Sequence, residues 1–173
     1  MTDKEDELHL EKLPYRPSVG LMILNDKLEI FVGRRVDSKT EAWQMPQGGI
    51  DDGEDPEVAA LREMKEEIGT DNAEIIAKTK QWYKYNLPNY LVSRLWNGRY
   101  RGQRQKWFLL RYLGKDEDIN IAHHHDVEFS EWRWAKIEDL TQIIVPFKKS
   151  LYISVIEEFR DVLISLKANK IDE

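Results

Sequence analysis

Glu63, Glu66 and Glu67 stand at i, i+3 and i+4 in the stretch Gly48–Gly69, GGIDDGEDPEVAALREMKEEIG. On a helix that spacing puts three carboxylates on one face. Like charges so placed repel, and a bound divalent cation removes the conflict. Magnesium in particular takes carboxylate oxygens, keeps several waters and shares its remaining sites with substrate phosphates. The plainer alternative is a solvated acidic face with Arg62 and Lys65 as partial partners. The helix itself is well marked: Asp55 suits the N-cap, Pro56 the first helical position, and Gly69 a left-handed stop. Val58, Leu61, Met64 and Ile68 fall on the side away from the carboxylates and are expected to anchor it.

The elements that must carry this helix can be read on either side of it. Residues 1–13 are mostly charged and read as a flexible N-terminal arm, and 169–173 as a flexible C-terminus, leaving one domain over 14–168. Ser18–Leu24 is an apolar run expected to be a buried strand, turned at Asn25-Asp26 into a second strand, Leu28–Gly33. Val36–Glu41 reads as a polar loop, and Trp43–Gln47 leads into a glycine-punctuated loop. Further strands are expected at Glu74–Lys80, Gln81–Asn86, Arg104–Leu113 and Ser130–Ala135, the last alternating Trp132 and Trp134 with Glu131 and Arg133. Leu151, Val155, Phe159 and Val162 recur at helical spacing from Phe147 to about Leu166 and predict a core-packing helix. The class is α/β.

A chain of 173 residues suits one full-sized core. Without cysteine it has no disulfide, thiolate metal site or cysteine nucleophile. No apolar run approaches the roughly 18 residues of a membrane span, and the acidic N-terminus is unlike a secretory signal, so a cytoplasmic location is expected.

The segment from Gly48 resembles the Nudix hydrolase signature, with Gly48, Glu54, Arg62-Glu63-Met64, Glu66-Glu67 and Gly69 in register; Thr70 departs where an aliphatic residue is usual. The resemblance implies a mixed β-sheet sandwiched between α-helices, and hydrolysis of a phosphoanhydride with a divalent metal, magnesium or manganese. It implies that Glu63, Glu66 and Glu67 hold the metal beside the Gly48 backbone, and that Arg62 and Glu54 complete the catalytic set by orienting the carboxylates. Which carboxylate accepts the attacking water's proton stays open. Glu128 matches a family position able to supply a further catalytic, metal-facing carboxylate.

Other stretches narrow the likeness. Tyr15-Arg16-Pro17-x-Val19-Gly20, Trp43–Gly49, Gly102–Phe108 and Glu128-Phe129-x-x-Trp132-Arg133-Trp134 resemble the bacterial RNA pyrophosphohydrolases, a group also described as dinucleoside polyphosphate hydrolases. Met45 stands where an aromatic residue is frequent, and the N-terminal arm is long for the group. The implied substrate is 5′-triphosphorylated RNA, with a role in mRNA decay; the alternatives are a dinucleoside polyphosphate such as diadenosine tetraphosphate, and an inactive RNA-binding module that kept the fold. Substrate contacts are assigned to Arg16, Arg35, Gln103, Gln105, Lys106, Phe147 and Lys148. Of these, Arg16 and Phe147 can sandwich a base and Lys148 can hold a phosphate.

Charge patterning supports a nucleic-acid substrate. The chain carries a net charge of −6, yet Ile75–Arg111 holds nine basic residues and no acidic one, interleaved with Trp82, Tyr83, Tyr85, Tyr90, Trp96 and Tyr100. Cations among stacking rings suit single-stranded RNA. His123-His124-His125 has metal-ligand residue types, but no helical or strand spacing that makes all three converge, and reads as a polar loop.

Overall fold

A computed structural model describes residues 2–36 and 41–171. Most of the polar loop expected at Val36–Glu41 and the last two residues of the expected C-terminal tail lie outside the described residues.

Hydrophobic residues on both faces of one strand organise the core. β1 (Tyr15–Leu24) is a continuous apolar run because both its faces are covered: Val19, Leu21 and Ile23 face one cluster, Met22 and Leu24 the other. β1 pairs in parallel with β7 (Gly102–Tyr112), from Tyr15 opposite Gly102 to Leu24 opposite Arg111. That pairing extends both strands beyond the bounds expected from their apolar runs. The central order is β3 (Trp43–Gln44), β2 (Ile30–Arg35), β1, β7, β5 (Ala73–Lys78). β4 (Gln47–Gly49) joins β1, β6 (Tyr83–Asn86) joins β7, and β8 (Phe129–Ala135) joins β2, all antiparallel. The Asn25 side chain accepts from the Lys27 and Glu29 amides and closes the β1–β2 turn. Leu28 sits there at φ 59, so β2 begins later than its apolar pattern suggests.

α2 (Pro56–Ile68) covers one face of the sheet and α5 (Lys149–Ile171) the other. This is the expected mixed sheet between helices. Asp55 caps α2 by accepting from the Glu57 amide at 2.8 Å, and Gly69 ends it at φ 82. The buried face of α2 differs from the expected one. Ala59, Ala60, Met64 and Ile68 are fully enclosed, whereas Val58 is 58% exposed and Leu61 half-buried. Glu63 and Glu67 project from within this buried arc, so the carboxylate face and the anchoring face overlap.

The ends also differ from expectation. Thr2 makes a capping box with Glu5, and residues 3–12 form a helix, α1 (Asp3–Lys12), whose Leu10 packs partly on the core. α5 runs to Ile171, past the expected start of a tail, after a 3₁₀ turn over Pro146–Lys148. Two short helices, α3 (Asn89–Val92) and α4 (Leu140–Ile143), carry too few residues to show a period.

Candidate active site

Arg62 is the hub of the signature. Its Nε and Nη2 donate to the two oxygens of Glu54 at 2.8 Å each, and Nη2 also donates to the Gly49 carbonyl at 2.9 Å. Nη1 donates to Glu63 at 3.0 Å and to Glu66 at 3.3 Å. One planar guanidinium therefore fixes the Asp51–Glu54 turn, the glycine strand and two of the carboxylates together. The Arg62 hydrogen bonds hold the Glu54 carboxyl down to about 2. Neither Arg62 nor Glu54 lines the cavity described below.

Burial sets the electrostatics of the other acids. It pushes Glu63 up to about 7, against the pull of Arg62. Glu67 is 6% exposed and raised well above the usual carboxylate range, by burial first and then by the charges of Glu63 and Glu128. Its Oε2 is enclosed with no hydrogen-bond partner. A carboxylate oxygen so placed is unstable as an anion unless a cation meets it. Gly48 pairs with Val19 of β1 in front of Glu63, and a Cβ there would overlap the Glu63 carboxyl; one at Gly49 would overlap the Arg16 guanidinium. Glu128 enters just before β8, where a β-bulge at Arg34/Arg35 brings Arg35 to 3.8 Å from it. The donor set is hard oxygen, an orphaned carboxylate included, and it fits a divalent metal.

A cavity of about 710 Å³ opens over these acids. Its lining holds an acidic set, Gly48, Glu63, Glu66, Glu67 and Glu128, and a set of cations and rings, Arg16, Arg94, Tyr90, Trp96, Phe147 and Lys148. The second set draws on separate elements. Arg16 lies 5.0 Å over the Trp96 ring, and Phe147 packs against Tyr85 at 6.0 Å. Lys148, 5% exposed, reaches Gln44 at 3.4 Å and lies 5.3 Å over the Tyr85 ring. Trp96 and Asn97 adopt φ 50 and 57, and for a bulky residue such as Trp96 that is strained backbone at the cavity rim.

Arg35 and Gln103 line the cavity as expected substrate contacts should, but Gln105 and Lys106 do not. Gln105 is fully enclosed behind the wall, bonded to Gln47 and Gln103. Lys106 alternates to the opposite face of β7, donates to the Lys80 carbonyl, and with Arg104 flanks Trp82. The basic stretch is thereby divided. Arg94, Tyr90 and Trp96 reach the cavity, Lys84 and Arg101 pack on Tyr15, and Lys78 pairs with Glu57 at 3.2 Å. The histidine run is a loop, yet a turn brings His124, His125 and Asp126 ligand atoms within 4.8 Å of one another, and His124 and Asp126 line the cavity. Gln44, Gln47, Tyr85, Tyr90, Arg94 and Trp96 are among the lining residues the site assignment missed. For the glutamines the signal lay in the WQMPQGG motif, and for the others in the interleaved aromatics.

A profile of the NUDIX domain matches residues 14–154. The chain belongs to the Nudix family. It is 56% identical over 155 residues to the RNA pyrophosphohydrolase of Rickettsia conorii, covering 90% of this chain and 95% of that one. It is 53% identical over 161 residues to the RNA pyrophosphohydrolase of Rickettsia bellii, covering 93% and 99%. The Nudix fold is seen again in solved structures of lower identity. The E. coli dihydroneopterin triphosphate pyrophosphohydrolase superposes with a TM-score of 0.63 at 18% identity, covering 80% of this chain and 94% of that one. A C. elegans Ap4A hydrolase binary complex gives 0.55 at 23%, with the same coverage. The resemblance read from the signature and its flanking motifs thus holds over nearly the whole chain. Among the described residues no helix is long and apolar enough to cross a membrane.

Proposed function

We propose that this chain removes pyrophosphate from the 5′-triphosphate end of RNA and leaves a 5′-monophosphate. The observation that carries this reading is one cavity with an orphaned buried carboxylate at one end and cations among exposed rings at the other. A polyphosphate joined to a nucleobase needs both. The identity to RNA pyrophosphohydrolases points to the same substrate.

Glu63, Glu66, Glu67 and Glu128, with the Gly48 backbone, are the groups that would hold magnesium or manganese. The bound ion would neutralise phosphate charge and lower the pKa of a coordinated water. The protein's own part is orientation and proton handling. Arg62 keeps Glu63 and Glu66 in place, and Gly48 and Gly49 leave room for the Glu63 carboxyl and the Arg16 guanidinium against the strand. Water oxygen bonds to phosphorus at the α–β anhydride, the bridging P–O bond breaks, and the displaced pyrophosphate takes up the electron pair. The water proton passes to one of the cavity carboxylates. Arg16, Arg35 and Lys148 meet the phosphate oxygens, and Phe147 stacks a base. We assign the catalytic unit to 14–168, its location to the cytoplasm and its role to mRNA decay.

The test compares hydrolysis rates of triphosphorylated RNA and diadenosine tetraphosphate in magnesium. Faster release of pyrophosphate from RNA is expected. Preference for the dinucleotide would overturn the RNA assignment, and no metal-dependent turnover of either would leave only a binding module.

A further inference from the structure

Part of the cavity wall, at Gln47 and Gln103, is made by side-chain amides whose direction one buried group sets. Trp107 is fully enclosed, and its indole N–H, which can only donate, faces the Gln105 side chain at 3.1 Å. The atom it meets must be the Gln105 oxygen, so Gln105 Nε2 points the other way. There it donates to Gln47 Oε1 at 2.8 Å and Gln103 Oε1 at 3.1 Å. The Ser18 hydroxyl, also enclosed, donates to the same Gln103 oxygen. Both carbonyls are therefore turned into the protein. Gln103, only 2% exposed, lines the cavity, and its Nε2 donates to no atom among the described residues. A hydrogen-bond network normally decides which way an amide faces, and here one obligate donor decides three.

We propose that Gln105 is a positioning residue: it holds the Gln103 amide with its N–H group toward the cavity, so that this wall offers a donor and takes an acceptor oxygen of a phosphate chain. The proposal rests on the cavity being the substrate site. It gives a function to a residue that sits behind the wall and touches nothing that enters. A purely apolar filler of the same shape would leave the buried Trp107 N–H without its acceptor and the Gln103 amide free to turn its carbonyl outward, where it would repel phosphate oxygen.

The experiment uses the full-length protein and inorganic tripolyphosphate, which carries the acceptor oxygens without RNA. Gln105→Met keeps the unbranched shape and removes the donor. Its dissociation constant for tripolyphosphate should rise about tenfold, the range for losing hydrogen bonds to a charged group. With triphosphorylated RNA, KM should rise similarly while kcat stays within about threefold. In amide spectra of the wild type, the Gln103 side-chain signals should move when tripolyphosphate is added, and in Gln105→Met they should move less. Unchanged affinity and KM beside a lowered melting temperature would make Gln105 a packing residue and overturn the proposal, as would Gln103 signals indifferent to tripolyphosphate in the wild type. If Gln105→Met does not fold, Ser18→Ala loosens the same Gln103 carbonyl; an affinity loss of about two- to fivefold supports the proposal, and none overturns it. Failure of the wild type on triphosphorylated RNA would instead sink the RNA reading, while the tripolyphosphate titration still judges the donor wall.

Discussion

At the acidic end of the cavity, three of the carboxylates come from one turn and a half of α2, and a single arginine on the same helix organises two of them. At the other end, cations and rings arrive from β1, α3 and the turns after it, and the 3₁₀ turn before α5. The first end is local in sequence and electrostatically tense, with Glu67 buried and its Oε2 without a hydrogen-bond partner. The second is assembled from distant segments and relieved by stacking, as Arg16 on Trp96 shows. On the proposed function, chemistry falls to the set held by a single helix, and recognition to the set where several elements meet.

The contrast is broken most sharply at the acidic end. Glu63→Gln and Glu67→Gln should each lower kcat on the order of 10²–10⁴-fold, because the amide keeps the shape and loses the charge. Their metal-free melting temperatures should rise, since a repulsive buried charge is gone. Turnover within a few-fold of wild type in both would defeat the assignment. Next comes Arg62→Lys, which keeps the charge but loses the fork that spans Glu54, Gly49, Glu63 and Glu66. A drop of about 10–100-fold in metal affinity or activity is expected, measured by metal titration. A near-wild-type titration would mean the carboxylates orient themselves.

At the recognition end, Phe147→Ala should raise KM for RNA by an amount equal to about 1–3 kcal/mol of stacking. Phe147 is 36% exposed, so melting temperature and metal affinity should hardly move. A large fall in stability with constant KM would make it a core residue.

Acid titration tests the Arg62 hub from the side of Glu54. With Glu54 held at about 2 in the folded protein, below the ordinary 4.5, its ion pair stabilises the fold fully above pH 4.5. That stabilisation is lost as pH falls through about 2. Glu54→Gln should be less stable than wild type by about 1 kcal/mol near pH 6, allowing for solvent screening. The gap should close towards pH 2 in parallel urea titrations; a gap constant over that range would place the pair's contribution in packing.

The smallest effect concerns the divided basic stretch. Arg94→Gln should flatten the log–log salt slope of RNA binding by about 0.7. Arg104→Gln should not, because that guanidinium lies 4.5 Å over Trp82 on the far face of β7. Equal changes in both variants would restore one continuous track along Ile75–Arg111.

Much of the acidic end was legible in the chain itself. Asp55, Pro56 and Gly69 mark the ends of α2 through backbone rules acting over a few residues, and the i, i+3, i+4 carboxylates follow from helical pitch. The family signature then named the chemistry. Which helix face is buried was not legible, because Ala59 and Ala60 are too small to dominate an apolar pattern that Val58 and Leu61 also fit. Only the packing of α2 against β1 and β7 decided it, and with it the burial that raises Glu63 and Glu67. The same holds for the strand faces. Alternation says that Gln105 and Lys106 part company, but the assembled sheet decides that Gln105 goes behind the cavity wall and Lys106 to the far face. Local sequence determined the helix, its caps and its charges, since those forces reach three or four residues. The tertiary structure decided which charges are dehydrated and which cations line the cavity, since burial and cavity shape are set by contacts between residues as far apart as Arg16 and Trp96, or Gln44 and Lys148.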